Sequence, residues 1–200
     1  MTDPVEALRA GKPVVLPFDT VYGLAAEPYR EASTRRLYEL KGRPATQPTA
    51  LVAADLDYLL ECVPELRGRS ATLARQLLPG PLTLVVPNPA GRFRWLTGAN
   101  AETIGVRVPE LTGPGREVLE RMGAVVATSA NRPGEPDPRR LDEVPEEIRA
   151  GAAAVVDGGE LPGAPSTVVD LTGDEPRILR EGAVPAGEIL RRLQASVRSS

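Results

Sequence analysis

Two hundred residues suit one folded domain or at most two small ones, and 42% hydrophobic with 26% charged residues is the composition of an ordinary globular protein able to bury a core. A net charge of −3 argues against a generic nucleic-acid binder. The absence of histidine excludes histidine bases, triads and metal ligands, and a single cysteine, Cys62, excludes an intrachain disulfide or a cysteine zinc cluster. In chain order, Thr2 or Asp3 before Pro4 starts a helix that runs through Leu8 and stops at Gly11. Val14 to Leu16 reads as a buried strand, and Asp19 to Gly23 as the polar turn at its end. Helical spacing covers Glu31 to Leu40 and ends at Lys41-Gly42-Arg43-Pro44. Ala50 to Ala53 is a short strand, and Asp55 caps a helix carrying Leu56, Leu59 and Leu60, with Cys62 a core residue beside them. A further helix fits Ala71 to Leu78. Strands fit Leu82 to Val86, Thr103 to Val108 and Ala124 to Thr128, with loop over 87–102 and a helix from Gly115 to Met122. Beyond the Pro- and Arg-rich loop 132–140, Leu141 to Ala150 reads as a helix and Ala153 to Val156 as a strand. Strands at Thr167 to Leu171 and Arg177 to Leu179, joined around Gly173-Asp174, suit an antiparallel pair, and a helix from Pro185 to Leu193 precedes a polar tail.

Alternating helices and short strands predict an α/β domain, and the closely spaced late strands make its sheet mixed. One domain over residues 1–200 is expected, with its core at about 4–190. The start, Met1 to Pro4, has no charged segment followed by an apolar run, and no stretch approaches the ~20 apolar residues of a membrane span. A cytoplasmic, reducing setting is therefore expected. All basic residues are arginine except Lys12 and Lys41.

Several strands run into small hydroxyl, amide or cationic residues, and ligands of open α/β sheets sit beyond strand ends. These clusters include Asp19-Thr20, Lys41-Gly42-Arg43, Thr103 to Arg107, Ser129-Ala130-Asn131, Ser166-Thr167 and Arg180. Taken singly, each reads equally as a turn, a helix C-terminus, a cap or an edge charge. Only Arg107, inside an apolar strand, requires a partner. Together they suit a phosphate-bearing ligand, since arginine and lysine bind phosphate while hydroxyls and amides orient it. With no strong nucleophile and paired base, the chemistry suits phosphoryl or nucleotidyl transfer driven by positioning and charge. Neither a Walker loop nor a dinucleotide Gly-x-Gly-x-x-Gly motif is present.

The order of these motifs resembles the YrdC-like family, the threonylcarbamoyl-AMP synthases of tRNA modification. Its signature is Lys-x-Arg followed by Ser-x-Asn, here Lys41/Arg43 and Ser129/Asn131. Asp19 to Leu24, Pro79 to Leu84, Val106 to Pro109, Ser166 to Asp170 and Ile178 to Ala183 match in order as well, over about residues 4–190. The resemblance implies a twisted open mixed sheet with flanking helices around a large basic cavity. It further implies that threonine, bicarbonate and ATP, with Mg2+ accompanying the nucleotide, give threonylcarbamoyl-AMP and pyrophosphate. A downstream transferase then passes the group to tRNA, with contact of this chain to tRNA left open. Carried over residue by residue, Thr20, Arg107, Ser129 and Ser166 form the threonine site. Lys41 and Arg43 are the catalytic phosphate ligands. Arg43, Gln47, Thr103, Asn131, Arg139 and Arg180 contact ATP, and no protein ligand for a metal is indicated.

There are departures from the family pattern. The family often carries a histidine in the strand after Lys-x-Arg, where this chain has Ala50 to Ala53. Long forms of the family add a C-terminal domain, so the short, catalytic-domain form is expected here. Two rival readings stand beside the synthase. One is a paralogue of the same fold with another acyl-adenylate or no synthase activity. The other is an RNA-binding module, recognisable by strong salt dependence without a need for ATP.

Overall fold

A computed structural model describes residues 2–197 of the chain. Helix α1 (Pro4–Arg9) is capped by the Asp3 carboxylate, which accepts from the N–H groups of Val5 and Glu6. It leads into a hairpin of β1 (Val14–Pro17) and β2 (Tyr22–Ala26). Then follow α2 (Glu31–Lys41), β3 (Ala50–Ala53), α3 (Leu56–Cys62), α4 (Gly68–Leu77), β4 (Leu82–Pro87) and β5 (Thr103–Arg107). The chain closes with α5 (Gly113–Met122), β6 (Ala124–Ser129), α6 (Glu146–Gly151), β7 (Ala154–Val155), β8 (Thr167–Asp170), β9 (Arg177–Arg180) and α7 (Ala186–Val197). The described strands form one nine-stranded sheet in the order β7-β1-β2-β6-β3-β5-β4-β8-β9, open at both edges. It is mixed as expected, with parallel pairs β1–β7, β3–β5 and β4–β8 among antiparallel ones.

The two faces of the sheet are covered differently. Leu24, Leu51, Leu84, Val106 and Val126 point to one face and pack against Leu37 of α2, Leu59 of α3, Leu77 of α4 and Ile189 of α7, all essentially inaccessible. Cys62 is buried there too. Burying each such side chain contributes about 1.5–3 kcal/mol. On the other face, Val5 and Leu8 of α1 and Val118 and Leu119 of α5 pack with Val14, Leu16, Phe18, Ala25, Val52 and Val125. Toward β5, β4 and β8 no helix among the described residues packs on that face.

Five expectations need correction. Tyr22 and Gly23 belong to β2, not to a turn; the strand is buried at every residue, so it shows no alternation, and its glycine and alanines hide its strand character. The helix expected over Leu141 to Ala150 is a 3-10 turn at Leu141–Glu143 and then α6, because Pro145 has no N–H to continue a helical ladder. In the 87–102 loop a 3-10 turn, Arg94–Leu96, seats buried Leu96. Helix α4 begins three residues before the expected Ala71, and α7 runs on to Val197; the rest of the expected polar tail, 198–200, lies outside the described residues.

Candidate active site

The uncovered face carries a cavity of about 280 Å3, and strand register explains it. Side chains two apart share a face, and paired residues lie side by side. Ala127, Ala50, Gly105 and Val85 are consecutive partners across β6, β3, β5 and β4, and all four line the cavity. Val52 and its partner Arg107 lie one step along, with Thr83 and its partner Val168 beside them, and Gly23 and its partner Ser129 lie on the opposite side. The floor is thus a row of small residues with larger and polar ones around it. Three arginines line it, Arg43, Arg107 and Arg180, against one carboxylate, Asp137.

Arg107 ends β5 and is nearly buried. Its Nη2 donates to the Asp19 carboxylate in a close ion pair and to Thr20 Oγ1 at 2.8 Å. Its guanidinium lies 5.8 Å from the centre of the Phe18 ring. Burial works against the charge and lowers the pKa, with Asp19 opposing. Asp19 also accepts from the Glu110 N–H at 3.0 Å, which ties the turn after β1 to the chain leaving β5. Nε of Arg107 is buried with no partner among the described residues. Both Nη2 protons are therefore committed within the protein, which leaves Nη1 as the guanidinium nitrogen able to meet a ligand carboxylate.

Lys41 and Arg43 have different surroundings although one residue separates them. Gly42 closes α2 in the left-handed conformation, at φ 68°, and the Arg43 N–H returns to the Tyr38 carbonyl at 2.9 Å. Lys41, 4% exposed, turns inward. Its ammonium donates to the carbonyls of Ser129 (2.5 Å) and Asn131 (2.9 Å) and to Asn131 Oδ1 (2.8 Å), which uses all three of its protons. Burial, reinforced by the Arg43 charge and opposed by Asp137, lowers its pKa from 10.5 to about 8. Arg43 instead lines the cavity, donating to Thr128 Oγ1 (3.3 Å) and the Pro48 carbonyl (2.5 Å).

Ser166, just before β8, pairs its hydroxyl with that of Thr83 at 2.8 Å. Arg180, exposed at the end of β9, donates to the Ser166 carbonyl at 2.8 Å and to its Oγ at 3.3 Å. Two hydroxyls own two protons and spend one on each other, so the pair keeps one proton for a ligand.

A profile of the Sua5, YciO and YrdC family, described as telomere recombination, matches residues 6–182. The chain belongs to this family. It is 38% identical, over 91% of its length, to a Pyrococcus abyssi protein named threonylcarbamoyl-AMP synthase, of which it covers 54%. A protein of the same name from Pseudomonas syringae is 34% identical, over 82% of this chain and 88% of the relative. Among solved structures, P. abyssi Sua5 complexed with L-threonine superposes with a TM-score of 0.86 at 36% identity, covering 94% of this chain and 56% of that one. The chain thus spans about half the length of the P. abyssi relative.

Of the residues expected from the YrdC-like resemblance, Thr20, Arg43, Arg107, Ser129, Ser166 and Arg180 meet on the one cavity. Lys41 and Asn131 stand behind it and hold the chain that carries Ser129: Asn131 accepts from Lys41 and from Ser129 Oγ (2.6 Å), and its Nδ2 donates to the Glu135 carbonyl (2.6 Å). Thr103, Gln47 and Arg139 lie outside the lining. Thr103 shares the face of Gly105 two residues earlier on β5, Gln47 is exposed in the loop after α2, and Arg139 is exposed and ion-paired with Glu160. Val52 and Ala50 line the cavity in the strand where the family often has a histidine. Asp19 and Thr83 join the site as the partners of Arg107 and Ser166, and the signal for Asp19 is that a buried arginine implies a carboxylate. Phe18, Thr128 and Asp137 carry no such signal.

Proposed function

We propose that the chain is a nucleotidyltransferase that joins threonine, bicarbonate and ATP into threonylcarbamoyl-AMP, releasing pyrophosphate. The observation that carries this reading is the convergence of Arg43, Arg107 and Arg180 with the hydroxyls of Thr20, Thr83, Ser129 and Ser166 on one cavity of amino-acid size. Threonine is held by its carboxylate at Nη1 of Arg107 and by the hydroxyls of Thr20, Ser129 and Ser166. Its amine adds to bicarbonate to give a carbamate with loss of water. A carbamate oxygen then attacks the α-phosphate and pyrophosphate leaves. Arg43 and Arg180 stabilise charge on the phosphates, where fixed cations in a partly dry site act most strongly. Lys41 and Asn131 fix the Ser129 turn. The nucleotide extends outward past Thr103, Gln47 and Arg139.

Mg2+ enters with the triphosphate and offsets its charge. The product goes to a transferase that modifies tRNA.

Pyrophosphate release tests the reading. Release that needs threonine and bicarbonate together, with serine and valine poor substitutes, supports it. Release indifferent to threonine, or none from folded protein, returns the choice to a paralogue with another acyl-adenylate.

A further inference from the structure

Gly105 sits at the centre of the cavity floor, between Ala50 and Val85. Glycine inside a strand weakens it, so its presence there asks for a reason. Conformation is not the reason, because Gly105 is absent from the glycines with positive φ. Crowding is not the reason either. A Cβ at Gly105 would have its nearest neighbours, Ala50 Cα and the Thr49 carbonyl oxygen, at 3.7 Å and Thr83 Cγ2 at 3.8 Å, all ordinary contacts. Gly23, on the same face, differs: a Cβ there would lie 2.5 Å from the Phe18 ring. A side chain at Gly105 would be accepted by the protein and would occupy the cavity.

We propose that Gly105 sets the depth of the cavity and thereby determines the size of amino-acid side chain the site accepts. Resting on the threonine reading above, this assigns the substituents on the β-carbon of the substrate to the space over Gly105. There they lie between the Ala50 methyl and the Thr83–Ser166 hydroxyl pair, whose spare proton faces an acceptor oxygen. The floor offers an apolar surface beside one hydrogen-bond donor, which matches a small branched side chain bearing a methyl and a hydroxyl. Larger side chains are excluded by the strand beneath, and smaller ones leave the floor unfilled.

Calorimetric titration of L-threonine and L-serine into the wild-type chain, Gly105→Ala and Gly105→Val, with a thermal melt of each, decides the matter. Gly105→Ala should melt unchanged or up to roughly 3 °C higher, since alanine restricts the unfolded chain. It should bind threonine about tenfold more weakly and serine about threefold or less so, because one misplaced methyl in a pocket has an effect of that order. Gly105→Val should bind neither. Threonine affinity within about twofold of wild type in both folded variants would overturn the proposal, as would loss of folding in Gly105→Ala, which would show that the sheet needs the glycine. If the valine variant alone fails to fold, the alanine variant decides. Failure of the wild-type chain to bind threonine would sink the threonine reading first, before any substitution, and this inference with it.

Discussion

Replacing Lys41 with methionine separates a residue that acts on substrate from one that holds the site together. Methionine keeps the length of the side chain and removes the ammonium. Three buried acceptors then lose the ammonium: the carbonyls of Ser129 and Asn131, and Asn131 Oδ1, which keeps only the Ser129 hydroxyl. Hydrogen bonds to a charged group contribute about 1.5–3 kcal/mol each, a gross loss of roughly 5–9 kcal/mol. Against this stands relief from burying the ammonium. Lowering of the pKa from 10.5 to about 8 puts that relief at about 3 kcal/mol. The net expectation is a destabilisation of about 2–6 kcal/mol, or a fall in Tm of roughly 4–24 °C for a chain of this size. The assay is a thermal melt and a urea titration of both proteins at pH 7, with turnover measured well below either transition. A Lys41→Met protein that melts within about 2 °C of wild type yet has lost turnover would refute this reasoning. It would mean that the ammonium leaves its three acceptors to reach the phosphates.

The same lysine gives a pH signature. Its folded pKa lies below its unfolded one, so between about pH 8 and 10.5 the unfolded chain holds the extra proton and stability rises with pH. The stability gap between wild type and Lys41→Met should therefore widen as pH is raised from 8 to 10; a flat difference in urea titrations would count against it. Arg43→Ala should lower kcat about 100-fold or more with little change in Tm, since Arg43 lines the cavity and its side-chain bonds within the protein are limited to Thr128 Oγ1 and the part-exposed Pro48 carbonyl; an unchanged kcat would remove it from the chemistry. Arg107→Ala strands the buried Asp19 carboxylate, so about 3–5 kcal/mol of stability and most threonine binding should go together. The double variant Asp19→Ala/Arg107→Ala should recover part of the stability and none of the binding, as a double-mutant cycle would measure. Gly42→Ala, in open space but at a left-handed φ, should cost about 1 kcal/mol and a few degrees of Tm.

Much of the site could be read from local chemistry. Thr20, Arg107, Ser129, Ser166 and Arg180 stand at strand ends as isolated polar residues beside apolar runs, and the structure brings all five to one cavity. Asp3 as a helix cap and the Gly173-Asp174 hairpin were legible for the same reason, since both depend on residues a few positions apart. Where local signals conflicted, the reading failed. Pro145 interrupts a stretch whose composition is helical, and Tyr22 to Ala26 is a central strand without alternation.

The amino-acid sequence by itself determined which chemistry this protein can perform. It has no histidine to act as base, it has cations suited to phosphate and carboxylate, and it has hydroxyls to orient what they bind. Tertiary structure alone decided which of these groups face the cavity. Lys41 and Arg43 read as a pair along the chain, but a left-handed glycine between them sends one into a buried cradle and the other to the lining. Ala127, Ala50, Gly105 and Val85 lie far apart in sequence and become a single row only through the register of four strands. Register is set by pairings across the whole sheet, and a slip of one residue would turn every side chain of a strand to the opposite face.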